Sequence, residues 1–190
     1  MSAAQLVLVR HAETEWSRAK KHTGRTDVPL TDAGREAARA LAAPLRSWSF
    51  ARVLASPARR ARETCELCQL GARAEVDEDL WEWDYGAYEG LTMAEIQRLA
   101  PGWSLWRDGC PAGESTADVG RRADRVIAAV GGVEGDVAIF SHGHMLRVLA
   151  SRWVSLEAQT GARLALATAA ISVLTYERTT RVIGRWNDAR

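Results

Sequence analysis

Two short runs of the sequence end in residues suited to phosphate chemistry. Arg10-His11 closes the apolar run Leu6-Val7-Leu8-Val9, and Ser141-His142-Gly143-His144 closes Val137-Ala138-Ile139-Phe140. A phosphate monoester carries up to two negative charges near neutrality, and its oxygens accept charge-assisted hydrogen bonds from guanidinium and imidazole groups. Further arginines stand close together in the turn from Ser56 to Arg62. A neutral His11 can also attack phosphorus, forming a covalent phosphohistidine and dividing one difficult displacement into two. The departing alcohol then needs a proton. Glu82, between Trp81 and Trp83, is the candidate, because apolar neighbours favour an acid that keeps its proton; Asp84, Glu89 and Glu13 are its rivals.

Each apolar run of four reads as a strand buried on both faces, the pattern of a parallel sheet. In open α/β sheets ligands sit beyond the carboxyl ends of the strands, so both histidines are expected at one edge. Helical segments alternate with these strands. Thr31 is an N-cap for a helix from Asp32 whose apolar face holds Ala37, Ala38, Leu41 and Leu45, and Pro44 ends or kinks it. After a strand at Val53-Leu54-Ala55, Ser56 is expected to cap a helix from about Ala58 to Leu70, with Pro57 in its first turn. Ser115, with Asp118 in the capping-box position, opens another helix. A further helix is expected from about His144 to Val154, and a hairpin of Ile171 to Tyr176 and Val182 to Trp186 is expected at a sheet edge. This strand-helix rhythm is that of a doubly wound α/β fold. It lapses between Leu80 and Gly113, an aromatic-rich connection with a helix from Thr92 to Leu99, of the kind that covers a site.

Composition narrows the function. The 190 residues carry 25 Lys and Arg against 24 Asp and Glu, a balance that argues against nucleic acid or an anionic membrane as partner. No stretch approaches the ~20 apolar residues that span a bilayer. Nothing before the first strand reads as a signal peptide, so the expected location is cytoplasmic, with Cys65, Cys68 and Cys110 reduced. Cys65-x-x-Cys68 lies in a helical pattern without a second pair, which favours packing over metal binding.

Taken together, the motifs resemble the histidine phosphatase superfamily, in its phosphoglycerate mutase-like branch. Arg10-His11-Ala12-Glu13-Thr14 is similar to its Arg-His-Gly signature, and Gly24 to Gly34 to its Gly-x-x-Asp-x-Pro-Leu-Thr loop. Ser56-Pro57-Ala58-Arg59-Arg60-Ala61 is similar to its Ser-x-Leu-x-Arg-Ala turn. Leu80-Trp81-Glu82 with Gly86 and Glu89-Gly90 resembles its acidic loop, and Gly113-Glu114-Ser115 and Ser141-His142-Gly143 its later motifs. The resemblance implies a single domain over residues 1–190, a three-layer α/β/α sandwich with a mostly parallel sheet and a small aromatic-rich lid at about 80–113. It also implies roles: His11 as nucleophile, Arg10, Arg60 and His142 as the phosphate clamp, and Glu82 as proton donor and later base. Thr23, Gly24 and Tyr85 fall at substrate-contact positions, and the Gly143 N–H is a further donor. Ala12 stands where the family has glycine. Ser17 stands where many members carry asparagine to the phosphate, so the shorter hydroxyl either reaches or that contact is missing. His22 and His144 read as loop and helix-start residues.

No metal or other cofactor is implied, and the expected partner is a small phosphorylated metabolite; oligomeric state is left open. Only about twenty residues separate Gly90 from Gly113, too few for a cover that would keep water from a phosphohistidine, which favours phosphatase over mutase. Among hydrolases the similarity is greatest to sugar phosphatases of the sedoheptulose bisphosphatase type. A non-catalytic phospho-ligand module would be expected to lose nucleophile or acid, and both remain. A metal-dependent hydrolase would need paired ligands such as His-Glu-x-x-His, which the sequence lacks.

Overall fold

Alternate residues of the first strand face opposite sides of the sheet, and both sides are buried. In the computed structural model, which describes residues 4–189, Leu6 and Leu8 of β1 (Leu6–Arg10) join one apolar cluster, Val7 and Val9 another. This two-sided burial is what four consecutive apolar residues require. The other strands are β2 (Phe50–Ala55), β3 (Ala74–Val76), β4 (Asp136–Ser141), β5 (Ile171–Glu177) and β6 (Thr180–Asp188). They form one sheet in the order β3-β2-β4-β1-β5-β6. The first four positions run parallel; β5 and β6 form the expected antiparallel hairpin, with β6 at the edge.

Helices cover both faces. They are α1 (Glu15–Arg18), α2 (Asp32–Ala40), α3 (Ala42–Leu45), α4 (Arg59–Leu67), α5 (Met93–Leu99), α6 (Leu105–Asp108), α7 (Thr116–Val130) and α8 (Gly143–Trp153). Leu41, Leu45 and Cys65 bring α2 to α4 against the Val7 face, whereas Val126 of α7 and Leu146 of α8 pack on the Leu8 face. The result is a three-layer α/β/α sandwich. Cys65 and Cys68 are packing residues: burial pushes both thiols up to about 12. Among the described residues no helix is long and apolar enough to cross a membrane.

The local signals at helix starts act largely as expected. Thr31 caps α2, Thr92 caps α5 and Ser115 caps α7, the last two through complete capping boxes. One expectation fails. The helix after β2 starts at Arg59, with Ala58 as an N-cap that makes no side-chain cap bond, and ends at Leu67. Ser56 lies too early to cap it, and its hydroxyl has another partner. In the aromatic stretch, Trp83, Tyr85, Tyr88 and Trp103 are buried in the same cluster as α7 and α8, so the segment forms a wall of the domain beside the ends of β1 and β4.

Candidate active site

Register puts the key residues together. Arg10 of β1 pairs with Ser141 of β4, and one step on, the His11 N–H donates to the Ser141 carbonyl at 2.9 Å. The rings of His11 and His142 are therefore neighbours, with centroids 5.2 Å apart. On the other side of β4, the Ser56 N–H bonds the Phe140 carbonyl, bringing the end of β2 to the same place.

Hydrogen bonds define the ring states. His11 Nδ1 lies 2.8 Å from the Ala12 carbonyl, which only accepts, so Nδ1 carries the hydrogen and Nε2 keeps its lone pair. His142 is held differently. Arg60 Nε donates to its Nδ1 at 3.2 Å, so its Nε2 carries the hydrogen and donates to Ser56 Oγ at 2.7 Å. Burial, reinforced by the Arg60 and Arg10 charges, holds the His11 pKa well below the usual histidine value. Burial and Arg60 do the same to His142. Both imidazoles are neutral, as a nitrogen nucleophile requires.

His11 opens onto a cavity of about 290 Å³ whose wall includes Arg10, Glu82, Tyr85, Gly143, His144 and Arg147. Arg10 bonds the Leu166 carbonyl through Nη1, yet its buried Nε has no hydrogen-bond partner. A Cβ on Gly143 would lie 3.3 Å from that Nε, so the missing side chain lets the guanidinium approach the first turn of α8. The Gly143 N–H itself bonds no protein acceptor among the described residues, whereas the next two N–H groups are taken by Glu82.

Glu82 is 5 % exposed, but its surroundings differ from the apolar slot expected between tryptophans. Oε1 accepts from the Trp83 and Met145 N–H groups, both at 2.9 Å, and Oε2 from the His144 N–H at 3.0 Å. Its rivals are occupied elsewhere. Glu89 accepts from the Gly24 and Thr26 N–H groups, Glu13 from the Thr31 hydroxyl, and Asp84 from the Gly86 N–H.

The other sequence candidates separate into wall and support. Ser17 and Thr23 line the cavity. Ser17 completes the α1 capping box with Thr14, and its only hydroxyl proton goes to the Thr14 carbonyl; in this arrangement Ser17 offers phosphate no donor. Arg60, His142 and Gly24 stand behind the wall. Arg60 is fully buried and donates to the Thr23, Gly24 and Thr26 carbonyls as well as to His142, tying the 23–26 loop to the site. Ala12 tolerates its Cβ because its backbone lies outside the positive-φ region, and Thr64 fixes its N–H.

Four features were missed from the sequence. His22 and His144 line the cavity, as do Lys20, Lys21 and Arg147. Arg147 falls one helical turn after His144, a spacing that places it on the same face. Ser56 serves His142 instead of a helix. Arg122, described below, holds the backbone around Glu82. No group of three or more His, Cys, Asp or Glu residues is placed to hold a metal ion among the described residues.

Comparison with known proteins gives the class, phosphoric monoester hydrolases. The chain belongs to the histidine phosphatase superfamily (branch 1), whose family model matches residues 6–189. It is 43 % identical over 181 residues to an acid phosphatase of Mycobacterium tuberculosis, covering 93 % of this chain and 89 % of that one. It is 36 % identical over 185 residues to sedoheptulose 1,7-bisphosphatase of Saccharomyces cerevisiae, covering 80 % and 68 %. The solved structure of the open reading frame Rv3214 product from Mycobacterium tuberculosis superposes with a TM-score of 0.92 at 40 % identity, covering 98 % of each chain.

Proposed function

We propose that this protein hydrolyses small phosphate monoesters, sugar phosphates among them, through a phosphohistidine on His11. One observation carries the proposal: the His11 Nδ1–H bond to the Ala12 carbonyl leaves Nε2 as a neutral nucleophile in a cavity shared with Arg10 and Glu82. In the first step Nε2 attacks phosphorus and the ester P–O bond breaks, while Glu82 gives its proton to the leaving oxygen. In the second, Glu82 takes a proton from water, the resulting hydroxide attacks phosphorus, and the P–N bond breaks. Phosphate leaves, with His11 neutral and Glu82 protonated again.

The unpaired Arg10 Nε and the free Gly143 N–H face the phosphate oxygens in this scheme, while Arg60 and His142, whose N–H groups bond protein partners, hold the site from behind instead of gripping phosphate directly. The names of the acid phosphatase and sedoheptulose bisphosphatase relatives support hydrolysis and a sugar-phosphate substrate. So does the short segment after the acidic loop, which leaves water a route to the intermediate. The enzyme is read as cytoplasmic, cofactor-free and metal-independent, its nucleophile being an imidazole.

The test is a panel of phosphate esters that includes sugar bisphosphates and phosphoglycerates, with phosphate release, mutase activity and sensitivity to chelator followed together. Phosphate release that survives chelator, with acid-labile label on wild type but not on His11→Ala, is the expected result. Transfer between hydroxyls without release, or complete loss of activity with chelator, would overturn it.

A further inference from the structure

Two imidazoles on the cavity wall, His22 and His144, have no part in the chemistry above. Their rings are nearly parallel, 6° apart in tilt, with centroids separated by 6.5 Å. Each has its Nδ1 tied to the protein, in opposite senses. His22 Nδ1 lies 2.9 Å from the Leu91 carbonyl, which only accepts, so Nδ1 carries a hydrogen and the tautomer this bond selects presents Nε2 as an acceptor.

His144 Nδ1 lies 2.7 Å from the Tyr85 hydroxyl. Tyr85 is 2 % exposed, and its hydroxyl has no other hydrogen-bond partner among the described residues, so the phenolic hydrogen is satisfied by donating to Nδ1. A neutral His144 then carries its own hydrogen on Nε2. Burial keeps the phenol protonated, and burial with the Arg147 charge keeps His144 neutral. Neither Nε2 has a protein partner among the described residues, and both residues line the cavity. The wall thus offers one imidazole acceptor beside one imidazole donor. A hydroxyl, or two on adjacent carbons, satisfies both; a carboxylate or a bare methylene does not.

Position says which hydroxyl. His144 Nδ1 is 3.8 Å from Glu82 Oε2, and the His144 backbone N–H bonds that same oxygen. Glu82 is assigned to the leaving oxygen, so the group met by the pair belongs to the alcohol, close to the ester carbon.

We propose that His22 and His144 form a hydroxyl-reading pair that selects phosphate esters bearing a hydroxyl beside the ester carbon, with Tyr85 as the positioning residue that fixes the His144 tautomer. The inference rests on the phosphatase reading of the same cavity, and its test separates the two. Nitrogen-edited NMR of the wild-type protein reads the ring protons directly: His144 protonated on Nε2 and His22 on Nδ1 are expected, and His144 protonated on Nδ1 would overturn the proposal whatever the kinetics. The kinetic arm compares kcat/KM for glycerol 3-phosphate with that for propyl phosphate, and uses phenyl phosphate to report the chemical competence of each variant. Wild type prefers the hydroxylated ester. His144→Phe and His22→Phe each reduce that preference by about tenfold, the equivalent of one hydrogen bond at the upper end of its usual range. Tyr85→Phe reduces it less and mixes the His144 tautomers. A preference absent from wild type, or kept by both phenylalanine variants, sinks the pair alone. Failure of wild type to hydrolyse any of the three esters would bring down the phosphatase reading and this inference with it.

Discussion

Arg122 and Glu114 clasp each other in a two-pronged ion pair, Nε to Oε1 at 2.8 Å and Nη2 to Oε2 at 2.7 Å. The rest of the guanidinium holds backbone. Nη1 donates to the Asp79 and Trp81 carbonyls and Nη2 to that of Glu82, while Glu114 Oε2 accepts from the Asp84 N–H. The pair therefore grips the chain on both sides of the proposed proton donor. Arg122→Met is expected to cost roughly 3 kcal/mol, because it leaves a largely buried carboxylate and several carbonyls without their donor. Glu114→Gln should cost less, since the amide still accepts from Arg122. Urea midpoints of the two variants check this; a wild-type midpoint for Arg122→Met would show that the pair is not what holds the loop.

The two chemical roles separate by leaving group. His11→Ala is expected to abolish hydrolysis of both aryl and alkyl phosphates, since it removes the imidazole that attacks phosphorus in either case. Glu82→Gln is expected to lower kcat on alkyl phosphates by about 10²- to 10⁴-fold, the usual worth of a general acid, and on activated aryl phosphates much less, because a phenolate leaves with little help. Steady-state rates on matched esters decide it. Equal losses on both would assign Glu82 to structure.

The sandwich was largely legible because its signals are local. Val7 and Val9 against Leu6 and Leu8, the Ser115-Asp118 capping box, and histidines closing two apolar runs are all patterns a few residues long. What was not legible depends on partners far apart in the chain. Ser56 has the features of an N-cap, but the His142 imidazole, 86 residues away, bonds its hydroxyl, and the helix starts later. Arg122 is one arginine among many until the fold sets it against Glu114. Tyr85 was legible as a wall residue but not as the partner of His144. β3 escaped because three half-exposed residues at a sheet edge have too short a run to show a period.

Three neutral histidines, His11 and His142 buried and His144 partly so, make stability depend on pH. His11, His142 and His144 all lie well below the ordinary value, with burial as the first cause in each; Arg60 and Arg10 face the first two, and Arg147, His22 and Arg10 face the third. The sign follows from which state binds protons. The unfolded histidines protonate near their usual pKa of about 6.5 while the folded ones stay neutral. Stability is therefore full above that value and is lost as the pH falls from it through the folded-state values. Each such histidine removes about 1.4 kcal/mol per pH unit within that window. Denaturant midpoints should fall steadily from pH 7 to 5.5, and the slope should be shallower in His144→Gln. The acid limb of kcat/KM should likewise lie below the ordinary histidine range. A flat stability profile would mean that these rings take up protons in the folded state.

Gly34 sets two familiar effects against each other. It lies inside α2, where replacing glycine with alanine ordinarily gains about 1 kcal/mol by lowering the entropy lost on folding. Here an added Cβ would fall 2.2 Å from the Glu13 carbonyl oxygen and 3.0 Å from the Glu13 nitrogen. That carbonyl cannot simply retreat, because it accepts the Thr31 N–H at 2.9 Å and stands two residues from His11. Backbone must therefore shift, and overpacking of this kind costs roughly 1–3 kcal/mol, enough to reverse the usual gain. Gly34→Ala is expected to lower the unfolding midpoint and also to reduce turnover, since the displaced segment carries the His11 main chain. The same variant measured for both quantities tests the packing and its reach into the site; a midpoint raised above wild type would show that α2 stands off from Glu13 and that the helix gain prevails.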